Sequence, residues 1–99
     1  MTIDKKMNGT ALEIALEGRL DTMTAPELEK ELNQSLGGAD SLTMDFGKLE
    51  SISSAGLRVL LSAHKVMSAK GGMKVTNVNE IVQEVFEVTG FADILNIER

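Results

Sequence analysis

The sequence contains no cysteine, no tryptophan and no tyrosine among its 99 residues, and it has one histidine. The absence of cysteine excludes a disulfide framework, a thiolate metal site and a cysteine nucleophile, and it fits a reducing compartment. Because three phenylalanines are the whole aromatic content, the chain has few platforms for stacking bases or sugars. One histidine and carboxylates without ligand spacing do not make a metal site. We therefore expect no metal and no cofactor.

Long apolar runs are also missing. No stretch reaches the length of a transmembrane helix, and the segment Met1–Lys6 lacks the apolar core of a signal peptide. The net charge of −5 argues against nucleic acid or an anionic membrane as the main partner. The expected location is therefore the cytoplasm, without direct insertion into a membrane.

Strands and helices are predicted to alternate along most of the chain. The Asn8-Gly9 pair suits a type I′ turn between an edge strand and a second strand in which apolar residues recur at every other position from Leu12. Two further strands are predicted, over Ser41–Phe46 and Met73–Val78. Three helices are predicted, one ending at Gly37-Gly38, one over about 54–69, and one between Asn79 and Gly90.

Two helix starts carry recognisable capping residues. Thr24 and Glu27 have the spacing of a capping box, with Pro26 in the first turn. Asn79 is predicted to cap the third helix, which Gly90 ends.

This order of elements predicts an α/β fold. We expect a single small domain over residues 1–99, with a mixed sheet of four or five strands and helices packed mainly on one face. In such sheets, sites form in loops at the carboxyl ends of strands. The segment from Gly47 to Ser53 is predicted to be such a loop.

That loop ends in a cluster of serines, Ser51, Ser53 and Ser54, at the start of the second helix. A serine there can accept a hydrogen bond from the free amides of the first turn and act as a plain N-cap. Because a helix N-terminus favours negative charge, the same hydroxyl can also be a ligand in an anion site or a point of phosphate attachment. The spacing alone leaves all three open.

A serine hydrolase is not supported by these residues. The only histidine, His64, lies ten residues beyond Ser54 on the same helix. That separation is about 15 Å, which is outside hydrogen-bond reach of the serine hydroxyl. The surrounding residues also do not form the G-x-S-x-G elbow of α/β-hydrolases.

Several segments together resemble a known family. Leu42–Phe46 followed by Ile52–Leu60 resembles the signature of the STAS domain, and the nearest type is the bacterial anti-sigma factor antagonist. Gly18–Asp21 with Thr24–Pro26 resembles the segment between that family's second strand and first helix, and Val85–Phe91 resembles its last helix and stop. The resemblance spans essentially the whole chain, in order.

The resemblance implies a regulatory protein without catalytic activity. In this family, a serine at the start of the second helix is phosphorylated by a partner that is both an anti-sigma factor and a serine kinase, and a PP2C-type phosphatase removes the phosphate. That serine corresponds to Ser54. Many members carry Asp directly before it, whereas this chain has Ser53 there, so Ser53 is the second candidate for phosphorylation. The implied partner-binding residues are Asp21, Thr22, Ser53, Ala55, Gly56, Leu57 and Arg58.

A second reading stays open within the same family. Other members are interaction modules without known phosphorylation, such as subunits of lipid transporters or parts of stress-signalling assemblies. In that case Ser54 would be only a helix cap.

Overall fold

A computed structural model describes residues 1–99 and contains a single five-stranded sheet with three α-helices. The strands are β1 (Thr2–Asn8), β2 (Ala11–Leu20), β3 (Ser41–Ile52), β4 (Met73–Thr76) and β5 (Asn96–Glu98). The helices are α1 (Ala25–Ser35), α2 (Ser54–Ser68) and α3 (Glu80–Thr89), with short 3-10 turns over Leu36–Gly38 and Phe91–Asp93. The strands follow chain order across the sheet; β1 is antiparallel to β2 and the other pairs are parallel. The expected mixed sheet is confirmed.

The helices cover one face of the sheet and leave the other face open. Along β2 and β3, alternate residues are buried while those between them are exposed or half-buried. The buried strand residues join apolar side chains from all three helices in one core, in which the rings of Phe46 on β3 and Phe86 on α3 lie 6.4 Å apart. This arrangement confirms the expectation that helices pack on one face.

β2 and β3 are both longer than their sequence pattern indicates. The segment Gly47–Ile52, predicted as a loop, continues β3 and pairs with the second half of β2. The register shifts twice along this pair, and Leu49 and Ile52 are both buried although they are three positions apart. Bulges of this kind break the two-residue period, so the pattern did not show the strand. The loop prediction was wrong. Only one residue, Ser53, separates the end of β3 from the start of α2.

The first hairpin turn also differs from its prediction. Asn8 pairs with Ala11, which leaves Gly9 and Thr10 as the two turn residues. Of these, only Gly9 has a positive φ, of 61°. A type I′ turn needs positive φ at both positions, whereas glycine at the first position is typical of type II′.

Lys70 joins the ends of two helices. Its ammonium donates hydrogen bonds to the carbonyl oxygens of Leu36 and Ala39, at 2.7 and 2.9 Å. These carbonyls follow the end of α1, while Lys70 follows the end of α2, so one side chain holds both ends together.

At the last helix, Gly90 takes the left-handed conformation with φ of 83°, which confirms its predicted role as the stop of α3. No helix in the structure combines the length and the apolar character needed to cross a membrane.

Candidate functional site

One residue, Ser53, connects β3 to α2. Its backbone is extended (φ −105°, ψ 177°), and its carbonyl oxygen accepts the amide hydrogen of Leu57 at 3.0 Å to close the first turn. The Ser53 hydroxyl is buried, makes no hydrogen bond and does not cap the helix. The predicted capping bond from Ser53 or Ser54 is therefore absent. The amides of the first turn of α2 have no side-chain acceptor.

Ser54 is the first residue of α2 and is exposed to solvent. Its hydroxyl makes no hydrogen bond within the chain. One turn further along the helix, Arg58 is also exposed, and Ala55 is half-buried between them. The structure thus places an unbonded hydroxyl and a cationic side chain on the same side of the start of α2.

Gly56 sets the distance between α2 and the sheet. A Cβ atom at this position would lie 2.6 Å from Cγ of Leu20 and 2.9 Å from Cγ1 of Ile52, so any side chain there would clash with these two buried side chains. Leu57 is buried in the same core. Gly56 and Leu57 were expected to bind a partner, and in the structure both are buried, where they hold α2 against the sheet.

The loop between β2 and α1 is fixed by Asp21 and Thr24. Oδ1 of Asp21 accepts the amide hydrogens of Met23 and Thr24, at 3.0 and 3.1 Å. The Thr24 hydroxyl donates to the carbonyl oxygen of Arg19 at 2.7 Å and accepts from the Asp21 amide at 2.9 Å. Because the Thr24 hydroxyl bonds backward along the chain, it does not cap α1, and the predicted capping box with Glu27 is wrong.

This loop and the start of α2 lie side by side. The Ser53 amide donates to the carbonyl oxygen of Leu20 at 2.9 Å, which joins the end of β2 to the start of α2. A shallow groove of about 240 Å³ runs between the first turns of α1 and α2. Its lining residues are Thr22, Ala25, Pro26, Glu29, Ala55, Arg58 and Val59. Of the expected partner-binding residues, the structure therefore brings Thr22, Ala55 and Arg58 to one surface beside Ser54, which we call the Ser54 surface.

The junction between β4 and α3 has a different character. The side chain of Asn79 accepts the Val82 amide at 2.8 Å, which confirms the predicted cap, and it donates to the carbonyl oxygen of Leu49 at 2.8 Å. Two residues earlier, Asn77 adopts a positive φ of 57° and donates to Oδ1 of Asp45 at 3.0 Å. This bond, together with one from the Gly47 amide, lowers the pKa of Asp45 below its usual range.

The only histidine of the chain is not adjacent to Ser54. His64 is half-buried in the middle of α2, ten residues beyond Ser54. No group of three or more histidine, aspartate or glutamate side chains is arranged to hold a metal ion.

Sequence reasoning overlooked one feature of this region: Met23, between Thr22 and Thr24, is 83% exposed. The loop has no apolar periodicity that would have drawn attention to this residue.

The chain thus forms an α/β domain with a mixed five-stranded sheet and an exposed serine at the start of α2. The family model described as "Mlab, STAS domain" matches residues 3–96, which is nearly the whole chain. The chain therefore belongs to the STAS-domain family.

Individual relatives agree with this assignment. BtrV of Bordetella bronchiseptica, named as an anti-sigma factor antagonist, is 35% identical over 99 residues, covering 98% of this chain and 84% of BtrV. The anti-sigma-B factor antagonist of Bacillus subtilis is 26% identical over 98 residues, covering 98% of this chain and 90% of that protein. A crystal structure from Thermotoga maritima, also named as an anti-sigma factor antagonist, superposes with a TM-score of 0.89 at 22% identity, covering 98% of this chain and 86% of the other.

Proposed function

We propose that this chain is an anti-sigma factor antagonist, a regulatory binding protein without catalytic activity. Its relatives with this name align over 98% of the chain. The observation that carries the proposal is the exposed, unbonded hydroxyl of Ser54 beside a groove that two helices share. When this surface is unmodified, it binds an anti-sigma factor, and the sigma factor is released.

Ser54 is the proposed point of control. An anti-sigma factor with serine kinase activity transfers the γ-phosphoryl group of ATP to the Ser54 hydroxyl, with ADP and a proton as the other products. A PP2C-type phosphatase hydrolyses the phosphoester and restores the hydroxyl. Exposure favours Ser54 over Ser53, because the Ser53 hydroxyl is buried and a kinase would have to open the β3–α2 junction to reach it. Because the kinase uses ATP, the proposed location of the protein is the cytoplasm.

The geometry explains how a phosphate can block binding without unfolding the protein. The modification adds about −1.5 to −2 charges at a helix N-terminus, where uncapped amides and the helix dipole favour an anion. Arg58, at i+4, is close enough to pair with the phosphate. On a surface that must lose its water to bind a partner, the same charge is unfavourable unless the partner supplies a matching cation.

Phosphate mapping tests this assignment. The wild-type protein, Ser54→Ala and Ser53→Ala are each incubated with ATP and candidate anti-sigma factor kinases, and mass spectrometry locates any added phosphate. We expect one phosphate on the wild type and on Ser53→Ala, and none on Ser54→Ala. A phosphate on Ser53 in the wild type would overturn the assignment. Tight binding of a partner without any phosphorylation would favour an unmodified STAS interaction module in a transporter or stress-signalling assembly.

A further inference from the structure

Met23 is the most exposed of the large apolar side chains in the chain. It is 83% exposed, compared with 76% for Val88 and 64% for Ile81 on α3. Single exposed apolar residues are common and carry no meaning by themselves. The position of Met23 and the rigidity of its backbone distinguish it from the others.

The backbone around Met23 is held by a dense set of hydrogen bonds. Its amide donates to Oδ1 of Asp21 at 3.0 Å, and the same oxygen accepts the Thr24 amide at 3.1 Å. The carbonyl oxygen of Asp21 accepts the Ala25 amide at 2.8 Å, and the Thr24 hydroxyl ties the loop to Arg19. A side chain on a backbone fixed in this way loses less conformational freedom when a partner binds than one on a mobile loop.

Met23 also lies at the edge of the Ser54 surface. The residue before it, Thr22, lines the groove that Ala55 and Arg58 line from the side of α2. The bond from the Ser53 amide to the Leu20 carbonyl fixes the spacing between this loop and the start of α2. A protein that occupies this groove therefore contacts Thr22, the residue directly before Met23.

We propose that Met23 is the apolar anchor that holds the anti-sigma factor on the Ser54 surface, by inserting into an apolar pocket of that partner. The proposal rests on the proposed function and names a specific contact within it. Methionine suits the role because its unbranched, polarisable side chain adapts to a pocket. A second copy of this chain is a poorer occupant, since both copies carry a net charge of −5 and would repel each other.

The test is a set of affinities for the anti-sigma factor kinase that modifies the wild-type protein. Met23→Ala removes the anchor, and Met23→Leu keeps its volume. Val88→Ala is the matched control, because it truncates a similarly exposed apolar residue on α3. We expect Met23→Ala to weaken binding 10- to 100-fold, as the truncation of an anchoring side chain does. Met23→Leu should stay within threefold of the wild type, and Val88→Ala should bind as the wild type does.

Each other outcome counts against the proposal. Wild-type affinity for Met23→Ala overturns it, and so does an equal loss in Val88→Ala, which would show a general effect of removing apolar surface. If Ser54→Asp abolishes binding while Met23→Ala does not change it, the anchor fails and the proposed function stands. If no anti-sigma factor binds the wild type, both fail. Thermal unfolding of each variant should match the wild type, because the Met23 side chain lies outside the core.

Discussion

The starts of α2 and α3 are built in opposite ways, although each follows a parallel strand of the same sheet. At α3, Asn79 caps the first turn and bonds to Leu49, and Asn77 bonds to Asp45. At α2, the linking Ser53 makes no side-chain bond, and the hydroxyl of Ser54 is exposed and unbonded. Polar side chains therefore stabilise the start of α3, whereas the start of α2 keeps its amides and hydroxyl available for an interaction outside the chain.

Packing explains why α2 tolerates an uncapped start. An N-cap is worth about 1 kcal/mol. Six residues of α2 are buried against the sheet and α1, and burial of one large apolar side chain contributes about 1.5–3 kcal/mol. The loss of one cap is therefore small beside the apolar contacts that hold the helix. These contacts also allow the charge at the start of α2 to change while the fold is kept.

The largest expected effect is on partner binding at α2. Ser54→Asp places a permanent carboxylate where the anti-sigma factor must dock, so we expect its affinity to fall about 100-fold, or about 2.7 kcal/mol. Ser54→Ala should bind as the unmodified wild type does. Isothermal titration with the anti-sigma factor measures both. Ser68→Asp, with the same charge at the other end of α2, is the control and should leave the affinity unchanged. Equal losses for the two aspartate variants would remove the distinction between the two ends of the helix.

A smaller effect is expected on stability when each junction loses its polar side chain. Asn79→Ala removes both bonds of the cap, so we expect the free energy of unfolding to drop by about 1–2 kcal/mol. Ser53→Ala removes a hydroxyl that has no partner, so the change should lie within about 0.5 kcal/mol or favour the folded state. Urea unfolding of the two variants gives the comparison directly. A larger loss in Ser53→Ala than in Asn79→Ala would reverse our description of the two junctions.

The smallest expected effect is a dependence on pH at the β4–α3 junction. The pKa of Asp45 is lowered in the folded protein, chiefly by the Asn77 side chain. A lowered folded pKa means that the stabilisation is fully present above the unfolded pKa, near 4, and is lost as the pH falls through the folded value. Between pH 7 and pH 3, the wild type should therefore lose more free energy of unfolding than Asp45→Asn. Identical losses in urea titrations at the two pH values would contradict this.

The sequence predicted what depends on regular periodicity. Alternating apolar residues from Leu12 identified β2, and the apolar stripe after Ser54 identified α2 with its first residue. The Asn79 cap was also predictable, because asparagine is a preferred N-cap residue and here it directly precedes the helical apolar pattern. These features depend on neighbours along the chain, which a single sequence displays.

The features that the sequence did not predict depend on contacts between distant segments. Asp21 and Thr24 are both capping-type residues, and the bond from the Thr24 hydroxyl to the carbonyl oxygen of Arg19 keeps Thr24 from capping α1. The bulged pairing of β2 with β3 hides the strand after Gly47. The exposure of Met23 and the burial of the Ser53 hydroxyl likewise depend on how the chain packs, so they cannot be seen in the sequence.

The decisive measurement is the affinity of the anti-sigma factor for the protein before and after enzymatic phosphorylation, with a thermal unfolding curve for each form. We predict that the form phosphorylated on Ser54 binds at least about 100-fold more weakly while its unfolding midpoint is equal or higher. Equal affinity of the two forms, or a loss of binding that comes with unfolding, would show that a charge at the start of α2 does not block docking on an intact fold.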